Sequence, residues 1–143
     1  MKIKTVKATW IHVPIPEAEQ HTSDFGVIDA FDTTLVRIET ESGLVGHGEG
    51  RASVFSSGNN APLVSLINDD IGPALVGENA GDPARLWELM YNGTRAHYAL
   101  ARGRPFPALG RRGLTIAAIS AIDIALWDIL GRSLNVAVWQ LLG

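Results

Sequence analysis

The order of elements in this sequence predicts an α+β fold, with strands first and helices afterwards. Three observations carry it. Short β-prone runs broken by turn residues occupy the chain up to Arg51, apolar residues fall at helical spacing from Leu63 onward, and the chain finishes on its most apolar stretch, "AISAIDIALWDILGRSLNVAVWQLLG" from Ala118 to Gly143. With 143 residues, 46% hydrophobic and 19% charged, the chain has the length of one domain with one core.

The first strand is expected in Lys2 to Pro14, where Trp10, Ile11 and Val13 precede a stop at Pro14 and Pro16. A long polar segment follows, Glu17 to Asp32, containing Gly26 and little periodicity. Connections of that length inside a domain are functional or disordered. Next, "TTLVRIETESGLVGHGEG" carries two β-prone runs, Thr33 to Thr40 and Leu44 to Glu49, separated by Glu41, Ser42 and Gly43. That is a hairpin with a glycine for positive φ, and with the first strand it makes a three-stranded antiparallel meander. After the small-residue loop "ASVFSSGNNAP", Leu63, Leu66, Ile67 and Ile71 set a helical period, with Asn60 as its cap and Pro62 in its first turn. A second helix starts with Asp82 as cap and Pro83 first, and carries Leu86, Leu89 and Met90 beside Trp87 until Gly93 ends it. Tyr98 to Gly113, rich in Arg, Gly and Pro, reads as a loop. The last helix is expected from Thr115 to the neighbourhood of Gly131, apolar on every face, and such a helix must be covered on most sides.

Composition narrows the function classes. A net charge of −3 from 12 basic and 15 acidic residues, well mixed, leaves no electrostatic footprint for nucleic acid or an anionic membrane. The absence of cysteine removes disulfide frameworks and thiolate metal sites, which fits a reducing, cytoplasmic setting. "MKIKTVKATWIHVPIP" interleaves its lysines with apolar residues and does not read as a signal peptide. Ser120, Asp123 and Asp128 interrupt the apolar run at the end, so no membrane span is expected there.

The chain's own residues offer little catalytic chemistry. "GLVGHGEG" is dense in glycine but leads into no helix and no Lys-Ser/Thr pair, so it reads as a strand that lets another backbone come close rather than as a phosphate cradle. His12, His21, His47 and His97 form no i,i+4 or His-x-His pair, and a metal site built from them is not expected. His12, His47 and His97 take ordinary structural readings. His21 stands apart because it lies in the long polar loop with Ser23, Asp24 and Phe25. Asp123 and Asp128 sit about 140° apart around a helix axis and cannot form one carboxylate pair. Each is expected to accept buried hydrogen bonds or to pair with an arginine such as Arg111 or Arg112.

The closing segment, with Ala-Ile-Asp-x-Ala-Leu-Trp-Asp and Leu-Leu-Gly, resembles the end of the N-terminal domain of the mandelate racemase and muconate lactonizing enzyme family, within the enolase superfamily. "TLVRIETESGLVGHGE" and "IGPALVGENAGDPARLWELMY" extend the resemblance over essentially the whole chain. Arg132 stands where lysine is common and Ala137 where proline is usual. The resemblance implies that residues 1–143 are a capping domain, a meander plus helical bundle, ending at the junction to a TIM-barrel domain absent from this chain. In that family the barrel holds Mg²⁺ and the base that removes a proton α to a carboxylate, so no catalytic residue or metal ligand is expected here and the chain alone is expected to be inactive.

The cap of such enzymes closes the barrel mouth with two loops. By order these are Glu17–Asp32 and Ala52–Asn59, which makes His21, Ser23, Asp24, Phe25 and Phe55 the substrate-facing candidates. The resemblance thus implies the chain's own barrel and a small-molecule carboxylate as partners, in a homo-oligomer. A polar first loop favours an acid sugar, with a dehydratase or racemase reaction. The alternatives are a cycloisomerase or epimerase of the same superfamily, or a free-standing interaction module without catalysis.

Overall fold

The computed structural model describes residues 1–24, 26–52, 58–92 and 113–143. Strand β1 (Ile3–Pro14) opens the chain, and a short hairpin of β2 (His21–Ser23) and β3 (Gly26–Ile28) follows it. Then come β4 (Ala30–Thr40), β5 (Val45–Gly50) and the helices α1 (Ala61–Ser65), α2 (Pro83–Asn92), α3 (Leu114–Leu134) and α4 (Val138–Leu142). The main sheet is three-stranded and antiparallel in the order β1-β4-β5, and β2–β3 forms a separate two-stranded ribbon. The α+β expectation and the meander therefore hold.

Its register explains the burial. β4 alternates cleanly, with Asp32, Thr34, Val36, Ile38 and Thr40 buried on one face while Phe31 and Arg37 on the other are exposed. β1 pairs along nearly the whole of β4, from Ile3 opposite Thr40 to Pro14 opposite Ala30, with one irregularity between Ile3 and Thr5. The β4–β5 turn closes with Gly43 at φ +86°, which is the positive-φ role expected of it. Two expectations change here. β4 begins at Ala30 rather than Thr33, because β1 extends far enough to pair with it. The segment Glu17–Asp32 is also not a bare loop, since it contains a 3₁₀ turn at Glu17–Glu19 and the β2–β3 ribbon.

The buried face of the sheet meets the helices. α3 contributes Ala118, Ile119, Ala121, Ile122, Ala125, Leu126 and Ile129 to a core that also holds Val36, Ile38, Leu63, Ile67, Leu86 and Met90. The glycine-rich strand does what its composition suggested. A Cβ placed on Gly46 would lie 2.2 Å from the Ala125 carbonyl oxygen, and one on Gly48 would lie 2.0 Å from that of Ala121, so only glycine admits the helix. By length and composition α3 is also apolar enough to cross a membrane, which the interrupting Ser120, Asp123 and Asp128 were expected to prevent. Its packing on β5 identifies the role it takes in this fold, that of a core helix.

Helix ends show where local signals were sufficient. Asp82 caps α2, its Oδ1 accepting from the Arg85 amide at 3.2 Å, as expected. Asn60 does not cap α1 with its side chain, because that side chain is turned into the core for other bonds described below. Beyond Ser65 the helix widens into a π turn (Leu66–Ile71) and tightens into a 3₁₀ turn (Gly72–Leu75). α3 runs past Gly131 to Leu134, where Asn135 adopts a left-handed conformation at φ 54° and the Val136 amide bonds back to the Gly131 carbonyl at 2.9 Å.

The two helical aspartates have separate partners. Asp128 accepts the His47 amide at 2.9 Å and the Arg132 guanidinium at 3.0 Å, so its arginine is Arg132; Arg111 and Arg112 lie outside the described residues. Burial pushes the Asp123 carboxyl up from its ordinary range, and a hydrogen bond from Trp127 only partly offsets that. Cover on α3 is uneven. Ile124 is exposed, and Leu134, Trp139 and Leu142 continue an apolar surface toward the end of the chain.

Candidate functional site

Antiparallel pairing brings three chain ends to one side of the sheet: the end of β1, the start of β4 and the end of β5. Both long connections therefore leave from the same end of the sheet. The first joins Pro14 to Ala30 and carries the ribbon; the second leaves β5 at Gly50 and leads to α1 at Ala61.

At the root of both connections lies a polar cluster. On β1, Trp10 and His12 are two residues apart and share a face, and His12 stands opposite Asp32 on β4. Trp10 Nε1 donates to Asp32 Oδ1 at 2.5 Å, and His12 Nδ1 lies 2.9 Å from the same oxygen. The Gly58 amide donates to Asp32 Oδ2 at 3.0 Å. Burial of Asp32 raises its carboxyl pKa, but the bonds from Gly58, His12 and Trp10, with the attraction of a charged His12, outweigh it and hold the group below its ordinary value. The carboxylate is thus the ionised acceptor. His12 must then present Nδ1–H to it, which leaves Nε2 as the free edge of a largely exposed ring.

A second bonded group lies alongside. Asn60, fully buried, accepts the Ala52 amide at 2.9 Å and the Thr34 hydroxyl at 3.2 Å through Oδ1, and donates from Nδ2 to the Gly58 carbonyl at 3.0 Å. Asn59 Oδ1 accepts the Ala61 amide at 2.9 Å at the start of α1. Trp10, His12, Asp32, Gly58 and Asn59 line an open depression of about 540 Å³. It offers an aromatic face and one imidazole edge.

The sequence-derived candidates fall in two groups. His21, Ser23 and Asp24 come together on the β2–β3 ribbon, where His21 pairs with Ile28, the Ser23 hydroxyl donates to the Gly26 carbonyl at 3.2 Å, and Asp24 is exposed in the turn. Phe25 and Phe55 lie outside the described residues, as does His97. Trp10, His12, Asp32 and Asn60 are not among the substrate-facing candidates of the sequence: Trp10 reads there as a strand residue, His12 as structural and Asn60 as a helix cap. One signal was available for the first three: Trp10-x-His12 on a strand puts both rings on one face, and starting β4 three residues earlier sets Asp32 against them. Among the described residues no group of three or more His, Asp or Glu converges in a way that would hold a metal ion.

Comparisons with known proteins agree with this architecture. The family model described as the mandelate racemase / muconate lactonizing enzyme N-terminal domain matches residues 5–143. D-galactonate dehydratase of Klebsiella pneumoniae is 39% identical over 112 residues, which cover 76% of this chain and 24% of that protein. The hydrophobic dipeptide epimerase of Enterococcus faecalis is 31% identical over 143 residues, covering 100% of this chain and 35% of the epimerase. Among solved structures, a Bradyrhizobium enolase complexed with magnesium and mandelic acid superposes with a TM-score of 0.75 at 31% identity, over 99% of this chain and 34% of its own. The chain thus spans roughly a quarter to a third of the relatives it matches. Those relatives include dehydratases, epimerases and cycloisomerases. With the meander and the buried apolar helix in place and the family model matching residues 5–143, the chain belongs to the mandelate racemase and muconate lactonizing enzyme family of the enolase superfamily, as its N-terminal domain.

Proposed function

We propose that residues 1–143 act as the capping and specificity domain of an enzyme that removes a proton α to a carboxylate, and that the enzyme is an acid-sugar dehydratase or a racemase. The catalytic barrel would follow this domain and hold Mg²⁺; the magnesium in the solved structures of the Enterococcus faecalis dipeptide epimerase and the Bradyrhizobium enolase supports this reading. On its own, the segment would be inactive. The observation that carries this reading is the convergence of both long connections at one end of the sheet, in a chain of this family. A cap built that way presents two adjacent loops to whatever lies beneath it, and loops positioned by a rigid scaffold are where specificity groups belong.

In this reading His21, Ser23 and Asp24 supply hydrogen-bonding groups from the first loop, with Phe25, while Phe55 belongs to the second. Their task is to bind, orient and exclude water. An acid sugar fits the polar character of the first loop, and D-galactonate dehydratase among the relatives favours the dehydratase outcome. The epimerase relative keeps a second reading open, a cycloisomerase or epimerase acting on another carboxylate.

The test uses the complete protein with added Mg²⁺ against a panel of aldonic acids, mandelate and hydrophobic dipeptides in D₂O, followed by proton NMR. A dehydratase converts an aldonate to its 2-keto-3-deoxy acid. Deuterium entering the α position with inversion but no loss of water identifies a racemase or epimerase. No exchange and no conversion across the panel refutes the proposal.

A further inference from the structure

Asp32 is a bonding partner shared by the two long connections. Its Oδ1 receives Trp10 and His12 from β1, the strand that leads into the first connection, while Asp32 itself is on β4, the strand that leads out of it. Its Oδ2 receives the Gly58 amide from the second. Asn60 completes the tie, since it holds the Gly58 carbonyl and the Ala52 amide and is itself held by Thr34, the next inward-facing residue of β4. Gly58 is therefore gripped at both its amide and its carbonyl. Buried carboxylates that accept several donors are strong, directional anchors, because each donor would be left without a partner if the carboxylate moved.

We propose that Asp32 is a positioning residue that fixes the roots of the two connections to each other, so that the specificity loops of the cap are set as one unit. The proposal rests on the reading above that these connections face the substrate. Both carboxylate oxygens of Asp32 are taken by protein donors, so it acts through Gly58 on one side and through His12 and Trp10 on the other. A carboxamide in its place keeps one acceptor oxygen for three donors, and alanine keeps none.

The experiment is amide hydrogen exchange on the complete protein, comparing wild type with Asp32→Ala, Asp32→Asn and Asn60→Ala. For Asp32→Ala, exchange is expected to rise about tenfold or more in residues 15–29 and 51–60 together, while the β5 and α3 core amides keep their wild-type rates. Asn60→Ala should raise exchange in residues 51–60 alone, and Asp32→Asn should fall between wild type and alanine. If Asp32→Ala does not fold, the double variant Trp10→Phe with His12→Leu removes the donors on β1 while sparing the carboxylate, and it should loosen both segments. A rise confined to residues 51–60 in the variants of Asp32 and its donors overturns the proposal.

Kinetics supply the readout that a purely structural role would not move. With the aldonate that the panel identifies, Asp32→Ala should raise KM about tenfold with a smaller change in kcat, and Asp32→Asn should recover part of it. Equal loss in kcat and kcat/KM would also overturn the assignment. If no substrate in the panel is turned over, the functional reading fails, and hydrogen exchange still decides whether the two connections are coupled.

Discussion

Replacing Gly48 with alanine tests the idea that glycine sets the distance between β5 and α3. The added Cβ would stand 2.0 Å from the Ala121 carbonyl oxygen and 2.8 Å from the Ala125 amide nitrogen. An ordinary carbon–oxygen contact is about 3.3 Å, so more than about 1 Å of separation must be created. Both obstructing atoms are backbone, and no side chain can rotate away. Overpacking a core costs about 1–3 kcal/mol where neighbours yield, so a rigid helix places this change at about 3 kcal/mol or beyond. Against a total stability of about 5–15 kcal/mol that is a large fraction. The melting temperature followed by circular dichroism should fall by about 6–12 °C. Adding Ala121→Gly should not restore it, because the carbonyl remains. Gly43→Ala is the contrasting control: nothing lies within 4 Å, but φ is +86°, so the loss should be about 1–2 kcal/mol from conformational strain alone. A Gly48→Ala protein melting within about 1 °C of wild type would refute the argument.

Other perturbations follow from the same bonds. Asn60→Ala leaves the Thr34 hydroxyl and the Ala52 amide without their acceptor in a buried site, and denaturant unfolding should report a loss of about 2–4 kcal/mol. Asp128→Ala strands the His47 amide and frees Arg132, lowering stability by about 1–2 kcal/mol in the same assay. Asp32 has a depressed pKa in the folded chain, so its contribution is present above the ordinary aspartate value and is lost as pH falls through the lowered one. Acid unfolding of wild type should accordingly steepen in the range below about pH 4, and Asp32→Asn should remove that part of the acid limb.

Elements governed by neighbours in the sequence were legible without a structure. The Gly43 turn and the Asp82 cap are local, and each stands where its residues indicated; the all-round apolar character of α3 likewise marked a helix, which runs three residues beyond Gly131. Glycine density in β5 indicates close backbone approach, because an anion cradle requires a helix directly after the loop and none follows. What escaped the sequence depended on distant partners. The Asp32 cluster joins residues 20, 22 and 26 positions apart, and nothing around Asp32 alone distinguishes a buried hub from an exposed loop residue. Starting β4 at Thr33 also concealed the pairing that sets His12 against it. Asn60 looked like a cap because Pro62 and the helical period follow it, yet burial directs its amide inward. The ribbon at His21–Ile28 is short and mostly exposed, with strands held by each other rather than by an apolar face.

The glycines of β5 also have a spacing. Gly46, Gly48 and Gly50 point toward α3, where they meet Ala125, Ala121 and, for Gly50, Ala121 and Ala117. Two residues of strand advance about 6.6 Å and four residues of helix about 6.0 Å, so the notches on one element nearly match the teeth on the other. Strand and helix thus mesh like a rack and pinion, and a rack can engage one tooth out of place. Only a feature that breaks the repeat can index it. The Asp128 carboxylate, bonded to the His47 amide between two notches, is such a feature: a slip of one tooth would carry it about 6 Å from its donor. The same contact that reads as one more helix-to-strand hydrogen bond therefore fits only one register of the helix on the strand.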